Sequence, residues 1–313
     1  MLMGENPDGP CDHSVGVVRV DRLDGQALAV LFRYSCHTVT LGPRTNLISP
    51  DFPGTARGLI ERELGCLSLF LQGCAGNINP ATGLGVDAEG VEEKRRLGHL
   101  LGGEVLKVCA SLRTHRRRKA PVLVQSIAVY WLYEFEEITP GEAGTIEVVE
   151  TWMELPLAPF PALGEVRRER DEWAARLAEA QRNKAREWEW KPLQRFGYAA
   201  QLRLDAAQNG PHPATVKFPL QVIRIGDIIF MAMPFETMSE TGTALREAAP
   251  QSDTFVLGYS NGMVSYLPTP EISAEGGMEA WLAWKNYLLP AEVPGDWEPQ
   301  IKKRFLELLE ATR

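Results

Sequence analysis

Two unbroken apolar runs of strand length, ALAVLFRY (27–34) and CLSLFLQG (66–73), enclose a helix-like segment over 53–65 that opens with Pro53 and is closed by Gly65. That order constrains the fold more than any other feature. A strand, a helix and a second apolar strand describe a βαβ unit, which requires a parallel pair and a layered α/β architecture. Asp51 is placed to cap the helix, and the second run reads as a central strand covered on both faces. VGVVRV (15–20) precedes the unit across an Asp24-Gly25 turn and forms a hairpin with ALAVLFRY.

The remaining elements fit the same class. A helix is expected over 88–112, and the basic cluster His115–Lys119 then reads as its solvated end. PVLVQSIAVYWLYEF (121–135) reads as one long strand. Residues 165–191 are charged, alanine-rich and helical, with Trp173, Leu177, Ala180 and Trp188 on one narrow apolar stripe. FPLQVIRIGDIIFMAMP (218–234) is a second hairpin turning at Gly226-Asp227. MSETGTALREAA is a helix, DTFVLGYSNG a strand entering a turn, and 298–313 an amphipathic C-terminal helix. The expectation is a single α/β domain over 1–313, a mixed β-sheet flanked by helices, with a helical insertion at about 163–210.

Composition narrows the function classes. Apolar residues make up 44% and charged residues 24% of 313, values that sustain a packed core. A net charge of −8 gives no general attraction to nucleic acid or anionic membranes, so no nucleic-acid partner is expected. No run reaches the ~18–20 apolar residues of a membrane span. The five cysteines form no CxxC pair and sit mainly in apolar stretches, as reduced thiols do. As written, the chain reads as cytoplasmic, and as secreted if an export signal has been lost.

Four places could carry chemistry. His37 sits where a buried strand meets a turn, either facing a site or satisfied in the core by a backbone carbonyl. LQGCAGNINP (71–80) sets Gly73, Gly76, Asn77 and Asn79 in a loop where backbone amides can approach a ligand, or where glycines only serve a tight turn. Glu236 follows a hydrophobic strand and Pro234, as a site carboxylate or a helix cap. Tyr259 and Tyr266 flank a Gly- and Pro-rich turn, as ligands or as packing residues. Together they put an imidazole, a carboxylate and a phenol at the ends of separate strands, a donor set zinc accepts.

NPDGPCDHSVGVVRV, FRYSCHTVTLG with ISPDFPGTARGLIE, LFLQGCAGNINP, MPFET and NGMVSYLPTPE resemble, in order, the catalytic domain of neutral/alkaline non-lysosomal ceramidases and their shorter bacterial relatives. The resemblance implies an α/β domain holding a Zn2+ ion and hydrolysing the amide of an N-acylated sphingoid base or related lipid amide. It makes His37, Glu236 and Tyr266 metal ligands. Gly73, Gly76 and Asn77, from the loop reading, are expected at the substrate pocket. GNINPA stands where the family has GDVSPN with a reacting serine, so the serine's nucleophilic chemistry is not carried over, and Asn79, in the serine's place, or the loop amides would steady the oxyanion. The family's first zinc histidine belongs to a segment upstream of NPDGP, so the chain is expected to lack that segment. His13 and His212 are the candidates to replace the ligand. A family tyrosine that assists the carbonyl falls near Met278. The alternative is a truncated or degenerate homologue without catalysis, serving as a binding or partner-dependent subunit. An uncovered sheet edge would then invite association, including with a second copy.

Overall fold

The computed structural model describes residues 6–42, 45, 47–82, 87–125, 129–138, 145–210, 212–250 and 253–311. In chain order, β1 (Gly16–Asp21) and β2 (Ala27–Tyr34) lead into α1 (Asp51–Leu64), β3 (Leu67–Gln72) and α2 (Asp87–Ser111). Next come the short strands β4 (Arg116–Arg118), β5 (Val122–Gln125), β6 (Val129–Leu132) and β7 (Phe135–Glu137), then β8 (Ile146–Pro156). Helices α3 (Leu163–Arg182) and α4 (Glu187–Asn209) precede β9 (Thr215–Ile225), β10 (Ile228–Ala232), β11 (Phe235–Thr237) and α5 (Ser239–Glu247). The chain continues through β12 (Asp253–Leu257), β13 (Ser265–Leu267), α6 (Pro270–Glu275), α7 (Met278–Trp281), α8 (Ala283–Asn286) and α9 (Trp297–Ala311).

The class is mixed α/β, built as layers. β1, β2 and β3 form one sheet, with β2 antiparallel to β1 and parallel to β3, so β2-α1-β3 is the expected βαβ unit. β12, β10, β9 and β8 form a second, mixed sheet in that order. Val30 and Phe32 of β2 bury against Phe52, Ala56 and Ile60 of α1 and Leu101 and Val105 of α2. Phe230 and Phe255 of the second sheet pack with Val18 and Leu71 of the first, joining the sheets face to face. The far side of the second sheet, with Phe218, Leu220 and Met231, packs on Leu245 of α5 and on Trp297, Ile301 and Phe305 of α9. Alternation along β9 and β10 supplies both faces, because successive side chains point to opposite sides.

Several expectations are corrected. β3 is an edge strand among the described residues: it pairs with β2, and Leu67 and Leu69 are exposed. An apolar run alone cannot separate a strand paired on both edges from one paired on a single edge. The outward-facing amide and carbonyl of Ser68 are blunted by Glu61 and Arg57 of α1. The stretch 121–135 is no single strand, since Val122–Gln125 pairs antiparallel with Val129–Leu132. The basic cluster does not end a helix. Arg116 and Arg117 lie in β4 and face Glu137 and Glu136 across the ribbon, so the charges find partners there. The helical stretch 165–191 breaks near Lys184 at φ 54, and α4 restarts with Glu189 accepting from the Arg186 amide. The break lets Trp173 of α3 stack on Phe196 of α4, with ring centroids 4.8 Å apart. Asp51 enters α1 as its first residue after Pro50, accepting from the amides of Phe52 and Leu41.

A buried ionic knot ties the N-terminal segment to both halves of the fold. Asp12 accepts from Arg33 of β2 at 2.8 Å and from Arg246 of α5 at 2.7 Å, and its amide donates to Ser239. Burial opposes ionisation of Asp12. The Ser14 hydrogen bond and the two guanidiniums outweigh it, so its pKa lies below the ordinary value. A carboxyl depressed on folding contributes stability that is present above its unfolded pKa of about 3.9 and is lost as pH falls toward the folded value. Thermal unfolding from pH 6 down to pH 2 should therefore show a loss below about pH 4 that Asp12→Asn reduces.

Candidate functional site

Most of the functional side chains gather at or just beyond the C-terminal ends of strands, where parallel α/β sheets present their loops. His37 follows β2, the Gly73–Ile78 loop follows β3, Glu236 follows β10, and Tyr259 follows β12. β11 and β13 form a short parallel pair in which Glu236 is directly opposite Tyr266, so one strand register sets carboxylate and phenol side by side. Glu236 is thus a strand residue that precedes α5 without capping it. The loop after β3 stitches the two halves: the His37 amide donates to the Ile78 carbonyl at 2.9 Å, and the Gly76 amide to the Thr237 carbonyl at 2.8 Å.

The imidazole, carboxylate and phenol meet. His37 Nε2 is 3.5 Å from Glu236 Oε2 and 3.4 Å from the Tyr266 hydroxyl. Two more phenols join them. Tyr259 donates to Glu236 Oε2 at 2.6 Å and lies 3.0 Å from His37 Nδ1, while Tyr287, at the end of α8, donates to Glu236 Oε1. Burial and the neighbouring Glu236 carboxylate raise the pKa of both Tyr259 and Tyr266, so each keeps its proton across the physiological range. Tyr259 has φ 55, a backbone that bulky residues rarely adopt and that costs of order 1–3 kcal/mol.

The ring nitrogens have different partners. Tyr259 has one proton and gives it to the nearer acceptor, Glu236. Its oxygen is then free to accept from His37 Nδ1–H, the tautomer that leaves the lone pair on Nε2, while the Gly76 carbonyl 3.4 Å from Nε2 suits the opposite tautomer. Nε2 faces Glu236 Oε2 and the Tyr266 oxygen. Neighbouring donors around a tetrahedral zinc are about 3.3–3.5 Å apart for bonds near 2.0–2.1 Å. The observed 3.4 and 3.5 Å separations from Nε2 match that edge for each oxygen. Among the described residues no group of three His, Cys, Asp or Glu side chains is arranged for a metal. The set here is one imidazole and one carboxylate completed by a phenol.

The other expected positions have different surroundings. Asn77 donates to Glu240 at 2.8 Å and accepts from the Ser239 amide at 3.0 Å, which satisfies the start of α5. Asn79 is exposed. Gly73 and Gly76 serve close chain approach, and their amides donate to the Tyr34 and Thr237 carbonyls. A Cβ at Gly76 would lie 2.7 Å from the Glu236 carbonyl. Gly76→Ala should therefore destabilise by about 1–3 kcal/mol, read by denaturant unfolding. His13 is exposed near Cys11, and His212 lies against the Phe160 ring, its centroid 3.7 Å away. Met278 begins α7.

Tyr287 was not found by sequence reasoning: WKNYLL has no motif, and the short α6–α8 turns that carry it back to Glu236 leave no periodic signal. Tyr259 was visible only as a turn aromatic. A groove of about 690 Å3 runs from His37 and Tyr259 along β3, with Val39, Pro50, Leu69 and Phe70 in its walls. A second, basic groove of about 410 Å3 between α1 and α2, lined by Arg62, Lys94, Arg95 and His99, does not include the site residues.

Fold and site define an α/β chain with an imidazole–carboxylate–phenol cluster at the strand ends. Its structure is similar to that of neutral ceramidase from Pseudomonas aeruginosa, with a TM-score of 0.58 and 17% identity over 95% of this chain and 46% of that one. It is likewise similar to a ceramidase complexed with C2, with a TM-score of 0.60 and 16% identity over 96% of this chain and 49% of that one. The chain thus has the ceramidase fold and spans about half the length of those proteins. No family model and no curated protein matches it. Among the described residues no helix is long and apolar enough to cross a membrane.

Proposed function

We propose that the chain is a zinc-dependent amide hydrolase of ceramidase type, converting an N-acyl amide such as an N-acylsphingosine, with water, to a carboxylate and an amine. The carrying observation is the convergence of His37 Nε2, Glu236 Oε2 and the Tyr266 hydroxyl at 3.4–3.5 Å, in a ceramidase fold. His37, Glu236 and Tyr266 would hold the ion. Bound zinc supplies Lewis acidity at the amide carbonyl and lowers the pKa of water toward about 7.

The chain's own part is binding and orientation. The apolar walls of the groove beside His37 suit an acyl chain, and burying each methylene there contributes about 0.8 kcal/mol. Tyr259 and Tyr287 hold the Glu236 carboxylate by one oxygen each, which keeps it from rotating. The second reading, a non-catalytic binding subunit, draws on Asn77 being engaged with α5 and on the exposure of Asn79.

Amine release from a short-chain N-acylsphingosine by the purified chain separates the two. The hydrolase reading expects turnover that a chelator removes and zinc restores. Substrate binding with no turnover at any zinc level favours the subunit, and chelator-resistant turnover contradicts the metal.

A further inference from the structure

Tyr259 is the point where the two sheets exchange a hydrogen bond inside the site. Its turn is clamped to the segment that leads into Glu236: the Tyr259 amide donates to the Phe235 carbonyl and the Ser260 amide to the Met233 carbonyl, each at 3.0 Å. A Cβ at the preceding Gly258 would lie 2.9 Å from the Phe235 carbonyl, so the backbones are in close contact. The left-handed backbone at Tyr259, φ 55, then turns the phenol inward. His37 arrives from the other sheet, and its Nδ1 lies 3.0 Å from that phenol.

Nothing in the sequence required a hydroxyl here. A phenylalanine would fill the same space. The hydroxyl adds one acceptor for Nδ1–H and one donor for Glu236 Oε2, and both bonds are within ordinary length. Imidazoles that bind metals are held by a hydrogen bond at the other ring nitrogen, which sets the tautomer and the ring plane.

We propose that Tyr259 is a positioning residue that holds His37 in its Nδ1–H tautomer and yokes the imidazole to Glu236, presenting Nε2 to the cation. The assignment rests on the metal-site reading and adds to it the group that prepares the imidazole before any ion arrives. Tyr259 itself stays outside the ligand set, with its proton on the carboxylate side.

The test uses the full chain and Tyr259→Phe, which keeps the ring and deletes the hydroxyl. In metal-free wild type, 15N resonances of the His37 ring should report a protonated Nδ1 and a bare Nε2. In the variant the population should move toward Nε2–H, for which the Gly76 carbonyl at 3.4 Å is the waiting acceptor. Zinc affinity by chelator competition should fall about 10–100-fold, with the melting transition still cooperative. A predominantly Nε2–H ring in the wild type overturns the proposal whether or not the variant folds. So does a variant whose zinc dissociation constant stays within twofold of wild type. A wild type that binds no zinc would instead remove the metal reading, while the metal-free tautomer still judges Tyr259.

Discussion

His37→Ala should abolish zinc-dependent amide hydrolysis and weaken zinc binding beyond the about 10–100-fold typical of losing an outer partner, while the chain stays folded. Deleting the ring removes the nitrogen donor but leaves Glu236 with its phenol partners Tyr259 and Tyr287. The carboxylate therefore remains hydrogen-bonded. Glu236→Ala is the harsher change, because both half-buried phenols lose their acceptor, at up to about 1–3 kcal/mol for each group left without a partner. Isothermal titration with zinc and thermal melting, run on both variants, should give loss of binding in each and a large drop in melting temperature only for Glu236→Ala. Equal destabilisation of the two would mean the phenols rely on His37 instead.

Trp297→Ala should cost about 3–5 kcal/mol, the range for truncating a large aromatic in a packed core. Trp297 is fully buried at the start of α9 and donates from its indole to the Pro156 carbonyl at 2.7 Å. Its ring packs on Phe218 of β9 and on Phe235, with centroids 5.7 and 6.3 Å away. Phe235 immediately precedes Glu236, so the cavity would open directly beneath the site. Denaturant unfolding measures the loss. A change below 1 kcal/mol would show that α9 is not the prop of the second sheet.

The βαβ unit and both hairpins were legible because each rests on local signals: apolar runs of strand length, Asp24-Gly25 and Gly226-Asp227 turns, and Gly65 closing α1 with φ 63. Sheet partnership was not. The single-sided pairing of β3, and the folding back of 121–135 on itself, depend on which strands meet in space, and periodicity carries no such information. At the site, His37, Glu236 and Tyr266 stood out as polar groups at the ends of apolar strands. Their meeting was an expectation from resemblance, and the geometry supplies it at 3.4–3.5 Å. Tyr287 could not be seen, because the short helices α6 to α8 bring it back by tertiary packing alone. The glycines of LQGCAG were readable as special. Their purpose, close approach to Ser35 and to the Glu236 carbonyl, was not.

X-ray absorption at the zinc edge, on purified protein of measured zinc content, tests the central claim most directly. One zinc per chain with a shell of nitrogen and oxygen at about 2.0–2.2 Å, lost in His37→Ala, is the predicted result. Zinc well below one per chain after reconstitution, or a sulfur shell near about 2.3 Å, would contradict it.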